Sequence, residues 1–231
     1  MNLTNKTIWL TGASSGIGEA LAFECAKKGA KLILSARNEE KLQQVKMQLA
    51  NSERHRVVPL DLAKGDDIKA IVDPVIAQSD SIDILINNGG ISQKGLARDT
   101  LISVQRQVME VNYFGTIAMT QAILPSMIAA KKGMIASVAS VAGLVGGKSM
   151  SGYSASKHAV IGYMDCLRAE ESGSGIQVLN ICPGFVQTQI SVNAFKANGE
   201  KYQQMAHSIK TGIPVTCLLY TSPSPRDRTR S

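Results

Sequence analysis

Residues 7–18 read Thr7-Ile8-Trp9-Leu10-Thr11-Gly12-Ala13-Ser14-Ser15-Gly16-Ile17-Gly18, and a helix-like stretch over 19–28 follows them directly. The apolar first part predicts a short buried strand. Glycines allow a backbone to approach a pyrophosphate closely, and the N-terminus of the next helix offers free N–H groups to it. The same glycines are also compatible with an ordinary tight turn. Their position between the first strand and the first helix favours phosphate binding.

The rest of the chain alternates between strand-like and helix-like segments. Further strands are predicted at 31–35, 56–60, 82–86, 134–138 and 176–181, with helices at 39–49, 101–131 and 153–171 among them. This alternation is typical of an α/β fold with a parallel sheet. Because 44% of the 231 residues are hydrophobic, the chain can bury one substantial core, and we predict a single domain over 1–215.

The formal net charge of +7 is spread thinly, and aromatic residues make up only 4% of the chain. No basic run alternates with aromatic residues, so we expect no nucleic-acid partner. The first six residues are polar and do not resemble a secretion signal. The apolar region over 117–130 is interrupted by Thr120, Gln121, Pro125 and Ser126, and we expect it to fall short of a membrane span.

Four cysteines, Cys25, Cys166, Cys182 and Cys217, are widely separated and include no Cys-x-x-Cys pair. Neither a metal site nor a disulfide framework is therefore predicted. Reduced thiols together with the polar N-terminus lead us to expect a soluble, cytoplasmic protein.

The second predicted strand ends in Ser35-Ala36-Arg37, where an NAD-binding site would place a carboxylate for the ribose diol. The guanidinium of Arg37 can instead hold a 2′-phosphate. NADP is therefore favoured, while NAD remains possible. The alternative is a surface arginine without a ligand.

Two further strand ends carry polar residues. Asp61-Leu62 follows the third strand, and Asp61 could accept a hydrogen bond from an adenine amino group or cap the next helix; both interpretations stay open. Asn87-Asn88 before Gly89-Gly90 suits a bend whose amides face a ligand, or a turn in which asparagine caps neighbouring backbone. Asn112 lies within a predicted helix, where its amide competes with the backbone for hydrogen bonds, and this exception suggests a function.

Tyr153 and Lys157 lie four residues apart, so both fall on one face of a helix. An ammonium about 5 Å from a phenol favours the phenolate by roughly 3 kcal/mol, which lowers the phenol pKa by about two units. Such a tyrosine could exchange protons near neutral pH. Ser140, thirteen residues before Tyr153, would supply a second hydroxyl.

Together these residues resemble the short-chain dehydrogenase/reductase family. The motifs, in the family's order and spacing, are Thr11-Gly12-x-x-x-Gly16-x-Gly18, Asn87-Asn88-x-Gly90, Asn112, Ser140, Tyr153-x-x-x-Lys157 and Pro183-Gly184-x-x-x-Thr188. The resemblance covers roughly residues 5 to 215. The run from Ile91 to Ala194 is especially similar to the dehydrogenase/reductase member 7 and 7B-like subgroup. Gly89 and Ala139 depart from the family's usual alanine and serine, but neither position carries a reacting group.

The resemblance implies a single-domain Rossmann fold with a doubly wound parallel sheet of order 3-2-1-4-5-6. It implies hydride transfer between a nicotinamide and a carbonyl or secondary alcohol, here of a small and moderately apolar substrate. Tyr153 would be the general acid/base, Ser140 would bind the substrate oxygen, Lys157 would bind the ribose and lower the tyrosine pKa, and Asn112 would hold a relay water. The implied cofactor-binding residues are Gly12, Ser14, Ser15, Gly16, Ile17, Gly18, Arg37, Asp61, Leu62, Asn88, Gly90, Tyr153, Lys157, Pro183, Gly184, Val186 and Thr188.

The C-terminal part departs from the family. Residues 189–212 correspond to the segment that covers the substrate in relatives, and Phe195, Tyr202 and Met205 suggest an apolar lid. After Val215 the resemblance stops, and 216–231, rich in Ser-Pro and Arg, is interpreted as a disordered, non-native tail. We therefore expect the family's seventh strand, which often supports subunit pairing, to be missing. A homo-oligomer remains possible, and a catalytically idle nucleotide-binding or scaffold protein is the alternative function.

Overall fold

The computed structural model describes residues 2–78, 81–204 and 213–214. Its strands are β1 (Thr7–Thr11), β2 (Lys31–Ser35), β3 (Arg56–Val57), β4 (Ile84–Asn87), β5 (Gln93–Lys94), β6 (Gly133–Val138), β7 (Ile176–Ile181) and β8 (Phe195–Lys196). Its α-helices are α1 (Gly16–Lys27), α2 (Glu39–Gln48), α3 (Gly65–Ala77), α4 (Ile102–Met109), α5 (Gly115–Ala130) and α6 (Ser151–Glu170). The predicted segments therefore exist in the predicted order.

Six parallel strands form one sheet in the order β3-β2-β1-β4-β6-β7. This confirms the predicted order 3-2-1-4-5-6, because β5 lies outside the main sheet and pairs with β8 instead. The chain winds outward from β1 to β3 and then returns to β4 on the other side of β1. In an open α/β sheet, such a reversal leaves a crevice at the carboxyl ends of the two central strands.

The sheet carries a hydrophobic core on each face. One cluster packs α3, α5 and α6 against the sheet, and the other packs α1 and α2 against the opposite face. Trp9 at the centre of β1 is completely buried, and its indole Nε1 donates to Ser35 Oγ at 2.9 Å. Ser35 Oγ in turn donates to the carbonyl oxygen of Val58 at 2.7 Å, so one polar chain crosses β1, β2 and the end of β3.

Two details of the sheet differ from the sequence expectation. The third strand ends at Val57 rather than at Leu60, although the N–H of Leu60 still donates to the carbonyl oxygen of Ala36 at 3.2 Å. The pairing of β5 with β8 was not predicted, since each of these strands has only two residues and shows no period.

A single helical stretch runs over Ile102–Ala130 through a π-helical turn at Glu110–Phe114. Among the described residues it is the one helix long and apolar enough to cross a membrane. The apolar region over 117–130 is part of this longer helix, because the helix extends back to Ile102 and Pro125 stays inside it. In the fold the same stretch contributes Met119, Ile123 and Met127 to the core.

The expected absence of a seventh strand and the proposed tail over 216–231 lie outside the described residues. Within the described part of the chain, β7 forms one edge of the main sheet.

Gly115 tests how tightly α5 packs against the loop after β3. A Cβ at Gly115 would collide with the carbonyl oxygen of Leu62, whereas a Cβ at the exposed Gly162 of α6 would meet nothing within 4 Å. We expect G115A to lower the free energy of unfolding by about 2 kcal/mol through overpacking. G162A should raise it by up to about 1 kcal/mol, because alanine favours helix over glycine. Urea denaturation of the two variants measures both effects, and equal effects would contradict this packing.

Candidate active site

A cleft of approximately 840 Å³ opens at the carboxyl ends of the central strands. Most of the residues predicted from the sequence line it, although they come from seven separate parts of the chain. They are Gly12, Ser14, Ser15, Gly16, Ile17, Arg37, Asp61, Leu62, Asn88, Gly90, Ser140, Tyr153, Lys157, Pro183, Gly184, Val186 and Thr188. Gly18 and Asn112 do not line this cleft.

The glycine turn after β1 has the features that a bound pyrophosphate requires. Gly12 and Gly16 have φ values of 65° and 59°, which L side chains rarely adopt. At Ser15, the N-cap of α1, the side chain makes no capping hydrogen bond. The first N–H groups of a helix have no intrahelical partner, and here they lie at a cleft wall with no side chain capping them. The turn therefore fits the phosphates of a dinucleotide.

Gly18 lies directly behind the glycine turn. A Cβ at Gly18 would collide with the carbonyl oxygen of Gly12 and the side-chain nitrogen of Asn88. This glycine therefore lets α1 pass close behind the turn. Gly18 does not itself line the cleft, and its assignment as a cofactor contact stays a prediction.

The side-chain amides of Asn87, the last residue of β4, and of Asn88, which follows it, form hydrogen bonds within the protein. Asn88 Nδ2 donates to the carbonyl oxygens of Thr11 at 3.1 Å and of Gly12 at 3.2 Å. Asn87 Nδ2 donates to Thr120 Oγ1 at 3.0 Å inside the core. Asn88 therefore bonds to the turn after β1 rather than capping its own turn, and it also lines the cleft, so the ligand-facing interpretation stays a prediction.

Asp61 neither caps α3 nor lies far from the cleft. Helix α3 begins at Gly65 with Lys64 as its N-cap, while Asp61 Oδ1 accepts from the N–H of Ala63 at 3.0 Å. The carboxylate thus fixes the turn beside Leu62 at the wall of the cleft. The helix-cap interpretation is wrong, and the adenine interpretation stays a prediction.

Asn112 lies in the π-helical turn, where the helical ladder is interrupted. Its side chain is 1% exposed and bridges two other segments. Oδ1 accepts from the N–H of Ile91 at 2.8 Å, and Nδ2 donates to the carbonyl oxygen of Ile91 and to Ser156 Oγ, each at 2.9 Å. Asn112 therefore anchors α6 to the loop after β4, and the relay water stays a prediction.

The side-chain hydroxyls of Ser140 and Tyr153 contact each other. Ser140 follows β6, Tyr153 lies in the first turn of α6, and their side chains form a hydrogen bond. Ser140 Oγ also accepts from the N–H of Ala142 at 3.1 Å, which leaves its own proton to donate to the phenol. The loop that carries Ser140 is tied to the segment after β7, because the N–H of Val141 donates to the carbonyl oxygen of Pro183 at 2.9 Å.

Lys157 is 4% exposed and lies beside this pair. Its Nζ donates to the carbonyl oxygen of Val138 at 2.9 Å and is 5.9 Å from the centroid of the Tyr153 ring. Burial lowers the pKa of Lys157 from its ordinary value to about 8, and the nearby Cys182 opposes this shift.

The pKa of the Tyr153 phenol shifts in the opposite direction to the one predicted. Burial raises the pKa of Tyr153, and the hydrogen bond from Ser140 opposes that rise only in part. The prediction that Lys157 lowers the pKa of Tyr153 is therefore wrong in this geometry. The physical reason is that removal from water penalises the phenolate, while the ammonium of Lys157 is directed at Val138.

Several residues of the cleft were missed by the sequence reasoning. Gln93 in β5 is completely buried, donates to Thr100 Oγ1 at 3.1 Å and accepts from the N–H of Gly152, one residue before Tyr153. No local pattern marked Gln93, because β5 has only two residues and shows no period. Lys41 and Lys201 also line the cleft, and no local pattern marks either of them.

Comparison with known proteins agrees with this arrangement. The family model described as short chain dehydrogenase matches residues 6–199. The chain belongs to this family. This short chain dehydrogenase is 43% identical over 209 residues to the mouse protein named dehydrogenase/reductase SDR family member 7B. That match covers 87% of the chain and 64% of the mouse protein, so the chain spans a little under two thirds of this relative's length. The predicted resemblance is thereby confirmed.

Solved structures of the family have the same fold. A short chain dehydrogenase/reductase from Burkholderia phymatum, in complex with NAD, superimposes with a TM-score of 0.82 at 25% identity, covering 94% of this chain and 84% of that one. A protein from Beutenbergia cavernae, assigned as an NAD(P)-dependent gluconate 5-dehydrogenase and containing NADP, gives a TM-score of 0.78 at 30% identity, with 83% and 76% coverage. The short chain dehydrogenases that share this fold therefore include both NAD and NADP complexes.

The lowered pKa of Lys157 predicts a pH-dependent stability. The folded protein releases this proton at about pH 8 and the unfolded chain near 10.5, so the cost of burying the ammonium is present in full below pH 8 and is relieved above it. Between pH 7 and 9.5, wild type should gain about 2 kcal/mol of unfolding free energy relative to K157M. Urea titrations at both pH values measure this difference, in which other titrating groups cancel. A difference that stays constant with pH would contradict the lowered pKa.

Proposed function

We propose that this short chain dehydrogenase is an NADP-preferring oxidoreductase that transfers hydride between the nicotinamide and a carbonyl or secondary alcohol. The observation that carries the proposal is the hydrogen-bonded pair Ser140 and Tyr153, with buried Lys157 beside it, in the same cleft as the glycine turn. A phosphate-binding turn alone would support only nucleotide binding. The hydroxyl pair adds a proton donor at the place where a substrate oxygen would lie.

Tyr153 would donate its phenolic proton to the substrate oxygen as that oxygen gains negative charge, while the proton of Ser140 would turn from the phenol to the same oxygen as a second hydrogen bond. The nicotinamide would supply or accept the hydride. The phenol of Tyr153 carries its proton at neutral pH, and burial, which raises its pKa, strengthens that state, so it can act as the proton donor in carbonyl reduction. The ammonium of Lys157, with a pKa of about 8, stays charged at neutral pH and would hold the nicotinamide ribose.

The preference for NADP is supported by charge at the end of β2. Arg37 and Lys41 both line the cleft, and no carboxylate follows β2 where a ribose diol would need one. Asn38 Oδ1 accepts from the N–H of Lys41 at 2.8 Å, which fixes the start of α2 beside Arg37. A phosphate between these two cations would form charge-assisted hydrogen bonds.

A moderately apolar substrate is supported by the side chains around the hydroxyl pair. Val141, Val145 and Phe185 line the cleft and are 46%, 69% and 56% exposed. Burial of this apolar surface would favour a substrate with a hydrophobic body. The domain limits, a cytoplasmic location and a homo-oligomer remain part of the proposal and rest on the sequence.

Changing Tyr153 to phenylalanine tests the proton donor. We expect Y153F to lower the rate of NADPH oxidation with apolar carbonyl substrates by 10²-fold or more, because general acid catalysis contributes about that much. The dissociation constant of NADPH, measured by fluorescence titration, should change less than about three-fold. Y163F is the matched control, since Tyr163 lies on the same helix but contacts Tyr113 away from the cleft. If wild type binds NADPH tightly but turns over none of the carbonyl substrates, the idle nucleotide-binding protein is favoured instead.

Changing Arg37 to alanine tests the cofactor preference. We expect R37A to weaken NADPH binding by about 30-fold, the effect of losing one charge-assisted hydrogen bond, and to leave NADH within about three-fold. Arg98, which pairs with Asp99 and does not line the cleft, provides the control variant R98A. Equal losses for both cofactors in R37A would count against the preference for NADP.

A further inference from the structure

The segment over 189–204 brings a lysine, Lys201, to the cleft. Phe195 forms an antiparallel bridge with Lys201, and the N–H of Tyr202 donates to the carbonyl oxygen of Ala194 at 2.8 Å. Lys201 Nζ lies 3.5 Å from the centroid of the Phe195 ring and donates to the carbonyl oxygen of Asn193 at 3.2 Å. These contacts hold the ammonium of Lys201 in a defined place on a short folded loop.

Lys201 lines the same cleft as Arg37 and Lys41. Among the described residues, none of these three cations has a carboxylate within 4 Å, because the ion pairs found there involve other residues. Asp61 is the one acidic residue among those lining the cleft, and it is engaged with the N–H of Ala63. The rim of the cleft therefore has an excess of positive charge.

The arrangement is unfavourable unless an anion is present. Burial and repulsion from Arg37 together lower the pKa of Lys201, so the two side chains are close enough to interact. Like charges in one cleft raise the free energy of the protein, and a phosphate with nearly two negative charges would reverse the sign of that interaction. By contrast, Lys196 in the same segment pairs with Glu200 at 3.0 Å and does not line the cleft.

We propose that Lys201 is a third ligand of the phosphate held by Arg37 and Lys41, so that this phosphate ties the segment over 189–204 to the rim of the cleft. The inference rests on the proposed preference for NADP and identifies the phosphate as its 2′-phosphate. Ile190, Asn193 and Tyr202 of the same segment also line the cleft. Binding of the phosphorylated cofactor would thus help to order one wall of the substrate pocket.

The simpler role for Lys201 is structural, with its aliphatic stem packed on Phe195. Methionine preserves an unbranched apolar stem of similar length and removes only the charge, so K201M separates the two roles. K201R restores the charge, and K196M removes the same charge from the same segment at a position outside the cleft.

The test measures ligand binding to the full chain by calorimetric titration, without turnover. Adenosine 2′,5′-bisphosphate and adenosine 5′-monophosphate serve as probes beside NADPH and NADH. We expect K201M to weaken the bisphosphate and NADPH by about ten-fold, the effect of one charge-assisted contact at a partly exposed site, and to leave the monophosphate and NADH within two-fold. K201R and K196M should bind all four ligands as wild type does.

Two outcomes would overturn the inference while the proposed function stands. In the first, R37A loses the preference for NADPH but K201M does not. In the second, K201M weakens NADPH and NADH equally, which would assign Lys201 to packing. If wild type binds the bisphosphate no more tightly than the monophosphate, the cofactor preference itself is overturned and the role of Lys201 with it.

Discussion

The contact between the turn after β1 and the turn after β4 is the constraint on which the cleft depends. Thr11 Oγ1 accepts from the N–H groups of Asn88 and Gly89, each at 3.0 Å, and Asn88 returns two hydrogen bonds to the first turn. A Cβ at Gly12 would come within 2.8 Å of Asn88 Nδ2. The two turns can therefore meet only because glycines occupy their closest approach, and their meeting fixes the crevice where the sheet reverses direction.

A second set of buried polar contacts positions α6, and with it Tyr153 of the hydroxyl pair, relative to these two turns. Asn112 connects the loop after β4 to Ser156, and Ser156 Oγ donates to the carbonyl oxygen of Tyr153 at 2.8 Å. Lys157 connects the same helix to the end of β6. Buried polar groups are costly unless they are paired, so these contacts favour one position of α6 over the alternatives. The phenol of Tyr153 is held in place by side chains that do not themselves reach a substrate.

Burial shifts the pKa values of Lys157 and Tyr153 in opposite directions. It disfavours the charged form of each, so the pKa of Lys157 falls and the pKa of Tyr153 rises. Both groups nevertheless carry their protons at neutral pH. This state suits the donation of a proton to a developing oxyanion; burial strengthens it for the phenol and weakens it for the ammonium.

The sequence by itself determined the order of the strands and helices, the glycine turn and the identity of the polar residues at the strand ends, because these depend on local periodicity and backbone freedom. Only the tertiary structure decided that Gly18 lies in a packing layer, that Asn88 and Asn112 bond to protein, and that Lys201 reaches the rim shared with Arg37. It also decided the direction of the Tyr153 pKa shift. Hydrogen-bond partners and loss of solvent arise from segments distant in sequence, and no local pattern encodes them.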